Sequence, residues 1–178
     1  MARTNPNKKK RRSAKRTVLV FGEGLHEEIF LKYLRGLYAL NSGAHIEIKK
    51  GKGGTAGNIV IGAYKVPGAF DRRVVVLDND KEKSEMEQAR AEAKKRHIEI
   101  IEHTPCLEFM LLNILQEGKR FANKDSAWCK GEFESMYLHK KKRNDINEYI
   151  KIFPRELIDE RRTKITELDQ IISIIEGK

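Results

Sequence analysis

Two short apolar runs, each ending at acidic residues, constrain the fold of this chain more than any other feature. Residues 18–21 precede Glu23, and residues 74–77 precede Asp78 and Asp80. Apolar runs without polar alternation are typical of strands buried on both faces of a parallel sheet. The carboxylates then lie at the carboxyl ends of strands, where open α/β sheets bind their ligands. We therefore expect Glu23, Asp78 and Asp80 to converge in one crevice, which we predict to be the active site.

The remaining pattern alternates strands with helices, and this alternation indicates an α/β fold. A threonine followed by a proline, Thr104-Pro105, predicts the start of a buried helix that continues to Leu115, with the threonine as its cap. The predicted strands are residues 17–22, 45–49, 72–77 and 97–101, and the other predicted helices are residues 25–40, 83–96 and 163–175.

Three further carboxylates are predicted near the starts of helices. Glu27 and Glu28 fall in the first turn of the first helix, where acidic side chains suit the helix dipole. For Glu28 we prefer this structural role and expect the side chain to face solvent. Glu108 falls in an almost wholly apolar helix, where an unpaired carboxylate is costly. We expect Glu108 to meet a cation, an arginine or a metal site, with exposure to water at the helix start as the alternative.

A glycine-rich loop at residues 51–57 carries one lysine, Lys52. Its backbone amides could approach a phosphate closely. It is not a Walker loop, because no Gly-Lys-Ser/Thr ends it. It matches the dinucleotide pattern Gly-x-Gly-x-x-Ala, but such a site normally uses the first strand-to-helix turn, where this chain has Glu23. The loop is therefore interpreted as a phosphate contact through Lys52.

The positive charge of the chain is concentrated at the N-terminus. The net charge is +10, and residues 1–16 hold eight Lys and Arg and no acidic residue, which leaves 28 basic against 26 acidic residues in the rest. Such an arm is expected to be disordered and to bind a polyanion such as nucleic acid; a merely solvated tail is the alternative. A second basic run occupies residues 140–143. The predicted nucleic-acid-binding residues are Lys8, Lys9, Lys10, Arg11, Arg12, Lys15, Arg16 and Lys52.

The sequence indicates a cytoplasmic protein. A secretory signal needs an apolar core of about seven residues, and the first apolar run after the basic start is only residues 18–21. No segment is long and apolar enough to span a membrane. Cys106 and Cys129 are too few for a disulfide scaffold and too far apart for a closely spaced metal motif. We expect both thiols to be reduced.

The acidic residues at the strand ends have the chemistry of a magnesium site. Asp78 and Asp80 supply two hard oxygen ligands on one turn, and Mg²⁺ is typically held by one or two carboxylates together with water and substrate phosphates. Glu23 could complete the coordination or act on a proton. Such a cluster suits phosphoryl transfer, because the metal neutralises developing charge and lowers the pKa of a bound water. The alternative is an ordinary surface turn, for which Asp-Asn-Asp is a common sequence.

These motifs resemble the Toprim domain, which is named for topoisomerases and primases and is also found in small nucleases. Within that superfamily the chain is most similar to the RloB-like proteins, and the resemblance spans residues 17–115. One departure is His26, where the family commonly has threonine. The motifs that carry the resemblance are Gly22-Glu23-Gly24, Glu27, Asp71 ahead of the central strand, Asp78-Asn79-Asp80, and Pro105 followed by Glu108.

The resemblance implies a Toprim-like (Rossmann-like) fold, with a mainly parallel four-stranded sheet flanked by helices and a helical C-terminal extension. The expected division is a disordered basic arm at residues 1–16, a Toprim-like domain at 17–118, and a helical part at 119–178 on the same core. The family implies Mg²⁺, or Mn²⁺ in its place, at Glu23, Asp78 and Asp80, with Glu27 and Glu108 as further catalytic residues nearby. It is associated with restriction and anti-phage loci.

We therefore expect a Mg²⁺-dependent nuclease that acts on DNA or RNA in anti-phage defence. Topoisomerase and primase activities require further domains that 178 residues cannot hold. The alternatives are a small RNA-maturation nuclease and a catalytically silent nucleic-acid-binding or toxin-partner module. A protein partner in a defence system and a homodimer also stay open, because the isoleucine-rich face of residues 163–175 could pack on the sheet or on a partner subunit.

Overall fold

A four-stranded, all-parallel sheet with strand order β2-β1-β3-β4 forms the centre of the protein. The computed structural model describes residues 15–119, 121 and 123–178. The predicted α/β class with a parallel four-stranded sheet flanked by helices is confirmed. The strands are β1 (Arg16–Gly22), β2 (Ala44–Lys50), β3 (Arg72–Asp78) and β4 (Glu99–His103).

Helices cover both faces of the sheet. Helices α2 and α3 pack on one face, while α1, α4 and the helices after residue 118 pack on the other. The helices are α1 (Leu25–Tyr38), α2 (Ala56–Lys65), α3 (Lys83–Lys95), α4 (Leu107–Leu115), α5 (Ser126–Met136), α6 (Ile146–Ile152), α7 (Arg155–Arg162) and α8 (Thr166–Ile175), with one 3-10 turn at Lys140–Lys142.

The two central strands are apolar in their middle, at residues 18–21 of β1 and 74–77 of β3, because helices cover both faces of the sheet there. In β1, Val20 faces the cluster formed with α1 and α4, while Leu19 faces the cluster formed with α2 and α3. In β3, Val76 faces the cluster formed with α1 and α4, and Val75 faces the cluster formed with α2 and α3. Helices on both faces remove the polar side that an exposed sheet would have, so the alternation expected of half-buried strands is absent.

The helices after residue 118 share the larger core. Phe133 of α5 and Tyr149 of α6 are fully buried, and Tyr149 packs beside Phe30 of α1, with 6.2 Å between the ring centroids. Ile171 and Ile172 of α8 belong to the same cluster, and α8 packs against α1 and β4. The isoleucine-rich face therefore lies inside this chain and not on a partner subunit.

Several predicted boundaries are wrong, each for a local reason. The fourth strand begins at Glu99 and not at His97, because His97 adopts a left-handed φ of 54° in the turn that ends α3. Helix α4 begins at Leu107, and its N-cap is Cys106, so Thr104 is not the cap. The predicted helix at residues 163–175 starts later, at Thr166, because α7 continues to Arg162. The segment that follows the glycine-rich loop, which is not among the predicted elements, forms helix α2.

The predicted arm is shorter than sixteen residues. Residues 1–14, with Lys8, Lys9, Lys10, Arg11 and Arg12, lie outside the described part of the chain. Arg16 already belongs to β1, opposite Ala44 of β2, and Lys15 Nζ donates a hydrogen bond to Ser42 O at 3.1 Å. The arm therefore joins the sheet at the edge opposite the strands' carboxyl ends. Among the described helices, none is long and apolar enough to cross a membrane.

Candidate active site

The site lies where the connections of two neighbouring strands diverge. After β1 the chain enters α1 on one face of the sheet, and after β3 it enters α3 on the other face. Such a switch point leaves a crevice at the carboxyl ends of the strands, and the order 2-1-3-4 places it between β1 and β3. Glu23 directly follows β1, and Asp78 is the last residue of β3. Both carboxylates therefore lie at this crevice.

A cleft of about 530 Å³ opens at the crevice. Four of the five predicted catalytic carboxylates line it together, and the fifth, Asp80, is connected to it through Lys130. The lining residues come from α1, the glycine-rich loop, β3, α4, α5 and the region before α6. They are Glu23, Gly24, Leu25, His26, Glu27, Gly53, Asp78, Glu108, Lys130, Lys140, Arg143 and Asn144.

Asp78 is a buried carboxylate, with 5% of the residue exposed. Its Oδ1 accepts a hydrogen bond from the backbone amide of Leu107 at 2.9 Å, and its Oδ2 lies 3.3 Å from Lys130 Nζ. Burial raises the pKa of Asp78 to about 8, and the negative charges of Glu27 and Glu108 act in the same direction against the charge of Lys130. Desolvation of the buried carboxylate is the largest cause of this rise in pKa, and the neighbouring negative charges add to it.

Glu108 meets a histidine. Only 3% of Glu108 is exposed, and its Oε1 lies 2.9 Å from Nδ1 of His26. Burial alone would raise the pKa of Glu108, but the hydrogen bond and charge of His26 outweigh burial and lower it. The alternative of exposure to water at the helix start is excluded by this burial. His26, which appeared in the sequence only as a departure from the family pattern, is the partner of the buried carboxylate.

Glu27 is held at the start of α1. Its Oε2 accepts a hydrogen bond from the Gly24 amide at 2.9 Å, and burial raises its pKa, which the charge of Glu108 raises further. Gly22 makes this position possible, because a Cβ atom there would lie 2.8 Å from the Cβ of Glu27. The prediction that Glu28 faces solvent is wrong. Its side chain is 14% exposed, because it lies between two lysines: Oε1 is 2.7 Å from Nζ of Lys32 in α1, and Oε2 is 3.9 Å from Nζ of Lys50 in β2.

Two lysines bind the three predicted metal ligands. Lys81 Nζ donates a hydrogen bond to Glu23 Oε1 at 2.8 Å. Lys130 Nζ bridges Asp78 Oδ2 and Asp80 Oδ2 at 3.3 Å and 3.2 Å. Burial alone would lower the pKa of Lys130, but the neighbouring carboxylates outweigh burial and raise it. In the part of the chain that the structure describes, no three His, Cys, Asp or Glu side chains are grouped to hold a metal ion.

The donor atoms nevertheless fit a divalent cation. Among the residues that the structure describes, nothing forms a hydrogen bond with Glu23 Oε2 or Glu108 Oε2, both of which are buried, and the two residues line the same cleft as Asp78. Unpaired buried carboxylate oxygens call for a cation, and hard oxygens are the ligands that Mg²⁺ prefers. Lys81 and Lys130 would have to release Glu23 and the aspartates, which their flexible side chains allow.

The cationic side of the cleft was mostly missed by sequence reasoning. Lys130 lies in α5, far along the chain from Asp78, and no motif marks it; its place depends on the packing of α5 against α4. Lys81 directly follows Asp80 in the sequence, and this adjacency indicates that Lys81 lies near the predicted metal ligands. Lys140 and Arg143 belong to the basic run at residues 140–143, which the sequence did show.

The predicted nucleic-acid contacts fall in two places. Lys52 lines a neighbouring cleft of about 310 Å³ with Lys50, and Gly53 lines both this cleft and the acidic one. Lys15 and Arg16 lie at the opposite edge of the sheet. Strand β1 separates these two residues from the acidic cleft by about 20 Å, since a strand rises about 3.3 Å per residue.

Comparison of the chain with sequence models of protein families, with curated proteins and with solved structures found no match. Fold and site together define an α/β protein with an acidic cleft at the carboxyl edge of a parallel sheet.

Proposed function

We propose that this protein is a metal-dependent nuclease of the Toprim, RloB-like type that cuts DNA or RNA in the cytoplasm. One observation supports the proposal most strongly. Glu23, Glu27, Asp78 and Glu108 line a single cleft at the switch point of the sheet. Clustered carboxylates in such a crevice are typical of catalytic sites, and burial raises the pKa of two of them, Glu27 and Asp78.

The metal would be held by Glu23, Asp78 and Asp80. Mg²⁺ or Mn²⁺ supplies charge neutralisation at the phosphate and lowers the pKa of a bound water. When His26 is neutral, its Nδ1–H would donate to the Glu108 carboxylate, and its Nε2, which has no hydrogen-bond partner among the described residues, would accept the proton of the attacking water.

Cationic side chains that line the same cleft suit a phosphate backbone. Lys140 and Arg143 line the cleft, and within the described ranges the buried Arg143 Nε has no hydrogen-bond partner, although Arg143 also contacts Glu134. An arginine donor of this kind binds phosphate oxygens readily. Lys52 lines the neighbouring cleft and adds a positive charge there, and Gly53 lines both clefts. The arm would add further charge-driven affinity.

A catalytically silent nucleic-acid-binding module is the second candidate. It is favoured by the lysines, because Lys81 and Lys130 bind the same carboxylates that a metal would use. The role in anti-phage defence, and with it a protein partner, is supported by the resemblance to RloB-like proteins. An RNA-maturation nuclease would use the same cleft, and the substrate preference in a cleavage assay separates these roles.

A cleavage assay tests the proposal. A panel of single- and double-stranded DNA and RNA is incubated with Mg²⁺, with Mn²⁺ or with EDTA. Glu23→Gln keeps the side-chain size and removes the charge, so turnover should fall by about 10² to 10⁴. Glu87→Gln is the matched control, because Glu87 is an exposed residue of α3 outside the cleft. Full cleavage by Glu23→Gln would remove this site from the mechanism, and binding without cleavage by the wild type would establish the silent module.

A further inference from the structure

The sheet has a long open edge, which is formed by β2. This strand has seven residues and stands last in the order β2-β1-β3-β4. Among the described elements it packs closely on β1 and α1 alone, whereas β4 at the other edge also packs against α8. We propose that β2 pairs with β2 of a second copy of the chain, antiparallel about a two-fold axis, so that the dimer has a continuous eight-stranded sheet.

The backbone groups on this open edge belong to the even-numbered residues of β2. The N–H and C=O groups of successive strand residues point to opposite sides within a sheet. Gly51, directly after β2, donates its amide hydrogen to Gly22 O of β1 at 2.9 Å, so the odd-numbered residues face β1. Ala44, Ile46 and Ile48 therefore direct their amides and carbonyls away from the sheet.

Side chains satisfy part of this edge and leave Ile48 open. Ser42 Oγ accepts a hydrogen bond from Ala44 N at 3.1 Å, and Arg35 Nη1 donates one to Ile46 O at 3.3 Å. In the part of the chain that the structure describes, no hydrogen bond satisfies the outward amide and carbonyl of Ile48. Unpaired groups of this kind are a template for a further strand.

The charges on β2 make the strand complementary to itself. Glu47 and Lys49 project from the face away from α1, with side chains 35% and 42% exposed, and they pair within the chain at 2.8 Å. When Ile48 lies opposite the partner's Ile48, each Glu47 lies opposite the partner's Lys49, because antiparallel neighbours run in opposite directions. The two-fold axis then gives two cross-strand ion pairs on one face of the sheet.

Other antiparallel registers lack these two ion pairs. With Glu47 opposite the partner's Glu47, like charges meet. With Ile46 opposite the partner's Ile46, Lys49 lies opposite the partner's Gly43 and has no charged partner across the strands. Charges on an edge commonly prevent pairing with foreign strands, and here their alternation favours one register with a second copy. Arg35 has to release Ile46 O, which its flexible side chain allows.

The pairing brings the basic start of one chain to the cleft of the other. Arg16 of β1 lies beside Ala44 of β2, and the same register places Ala44 opposite the partner's Lys52. Arg16 is then two strand spacings, roughly 10 Å, from the partner's Lys52, whereas about 20 Å of β1 separate Arg16 from the cleft of its own chain. Lys15 and Arg16 could thus add charge to the partner's nucleic-acid surface, a consequence that rests on the proposed function although the interface does not.

Sedimentation velocity of the full chain, over a range of micromolar concentrations, tests the interface. We expect a dimer for the wild type. Glu47→Lys and Lys49→Glu should each weaken dimerisation by about tenfold or more, because each puts two pairs of like charges opposite one another. The double variant restores opposite charges and should dimerise as the wild type does. Glu87→Lys, at an exposed residue of α3, is the matched control for the change in net charge.

Each outcome of this comparison bears on the β2 interface. A wild type that stays monomeric at every concentration overturns the proposal. A dimer that neither single variant weakens uses another surface and overturns it as well, and a double variant that stays monomeric overturns the register. Glu47 and Lys49 are partly exposed, so the variants should fold, which circular dichroism checks. The measurement needs neither metal nor nucleic acid, so its result is independent of nuclease activity.

Discussion

Asp78 at the end of β3 binds the first residue of α4: its Oδ1 accepts the backbone amide hydrogen of Leu107 at 2.9 Å. Helix starts leave backbone amides without partners, and a carboxylate is a strong acceptor for them. Asp78 thereby takes the capping role that Thr104 was expected to play. Glu108 follows Leu107 directly, so the same hydrogen bond fixes Glu108 in the cleft beside Asp78.

Divalent metal should stabilise the protein. The cation relieves the repulsion between Asp78 and its neighbouring carboxylates, and a ligand at about 100 times its dissociation constant adds about 2.7 kcal/mol to the free energy of unfolding. Thermal melts at increasing Mg²⁺ or Mn²⁺ measure the effect, and Asp78→Asn should reduce it. Melting temperatures that stay constant with metal in the wild type and in Asp78→Asn would contradict metal binding here.

Removing the Lys130 ammonium should destabilise the metal-free protein. Lys130→Gln leaves Asp78 and Asp80 without their bridging cation, and the loss of a partner of a buried group typically costs about 1 to 3 kcal/mol. Urea unfolding in EDTA measures the cost, and Mg²⁺ should restore most of it if the metal uses the same oxygens. Lys151→Gln, at an exposed lysine that does not line the cleft, is the control. Equal losses with and without Mg²⁺ would show that Lys130 and the metal do not share these ligands.

Glu176 should make the stability pH-dependent below neutrality. Hydrogen bonds from Arg162 lower the pKa of Glu176 from an ordinary 4.5 to about 2. Because the folded pKa is lowered, the stabilisation is fully present above the unfolded pKa and is lost as the pH falls toward 2. Glu176→Gln should therefore cost about 0.5 to 1 kcal/mol near neutral pH, a value reduced for solvent screening. Urea unfolding between neutral pH and about pH 2 should show the two proteins converging, and a constant difference would contradict the pairing.

The arm should contribute affinity for nucleic acid without contributing chemistry. The deletion belongs at residues 2–14, because Lys15 and Arg16 are part of the folded chain. The deletion removes six Lys and Arg, and each phosphate contact changes the slope of log K against log salt by about 0.9 on duplex DNA. Binding measured at several salt concentrations should therefore show a flatter slope, while the metal-dependent melt stays the same. An unchanged slope would assign the arm to another role.

The local sequence determined the strands and their acidic ends. The apolar runs at residues 18–21 and 74–77 have no polar alternation because helices cover both faces of a parallel sheet, and this pattern is visible without coordinates. Parallel strands share one carboxyl edge, so Glu23 and Asp78 could be placed near one another from the sequence.

Which charges meet depends on how the helices pack on the sheet. His26 and Glu108 are 82 residues apart, and Lys130 reaches Asp80 across 50 residues, so no local spacing encodes either contact. Each depends on how α4 and α5 pack on the sheet, which is set by the summed burial of many apolar side chains. The start of α4 was misplaced for the same reason, since its capping carboxylate comes from β3. Hydrophobic periodicity is a local property of the sequence, whereas the partner of a buried charge can lie anywhere in the chain and is brought close only by tertiary packing.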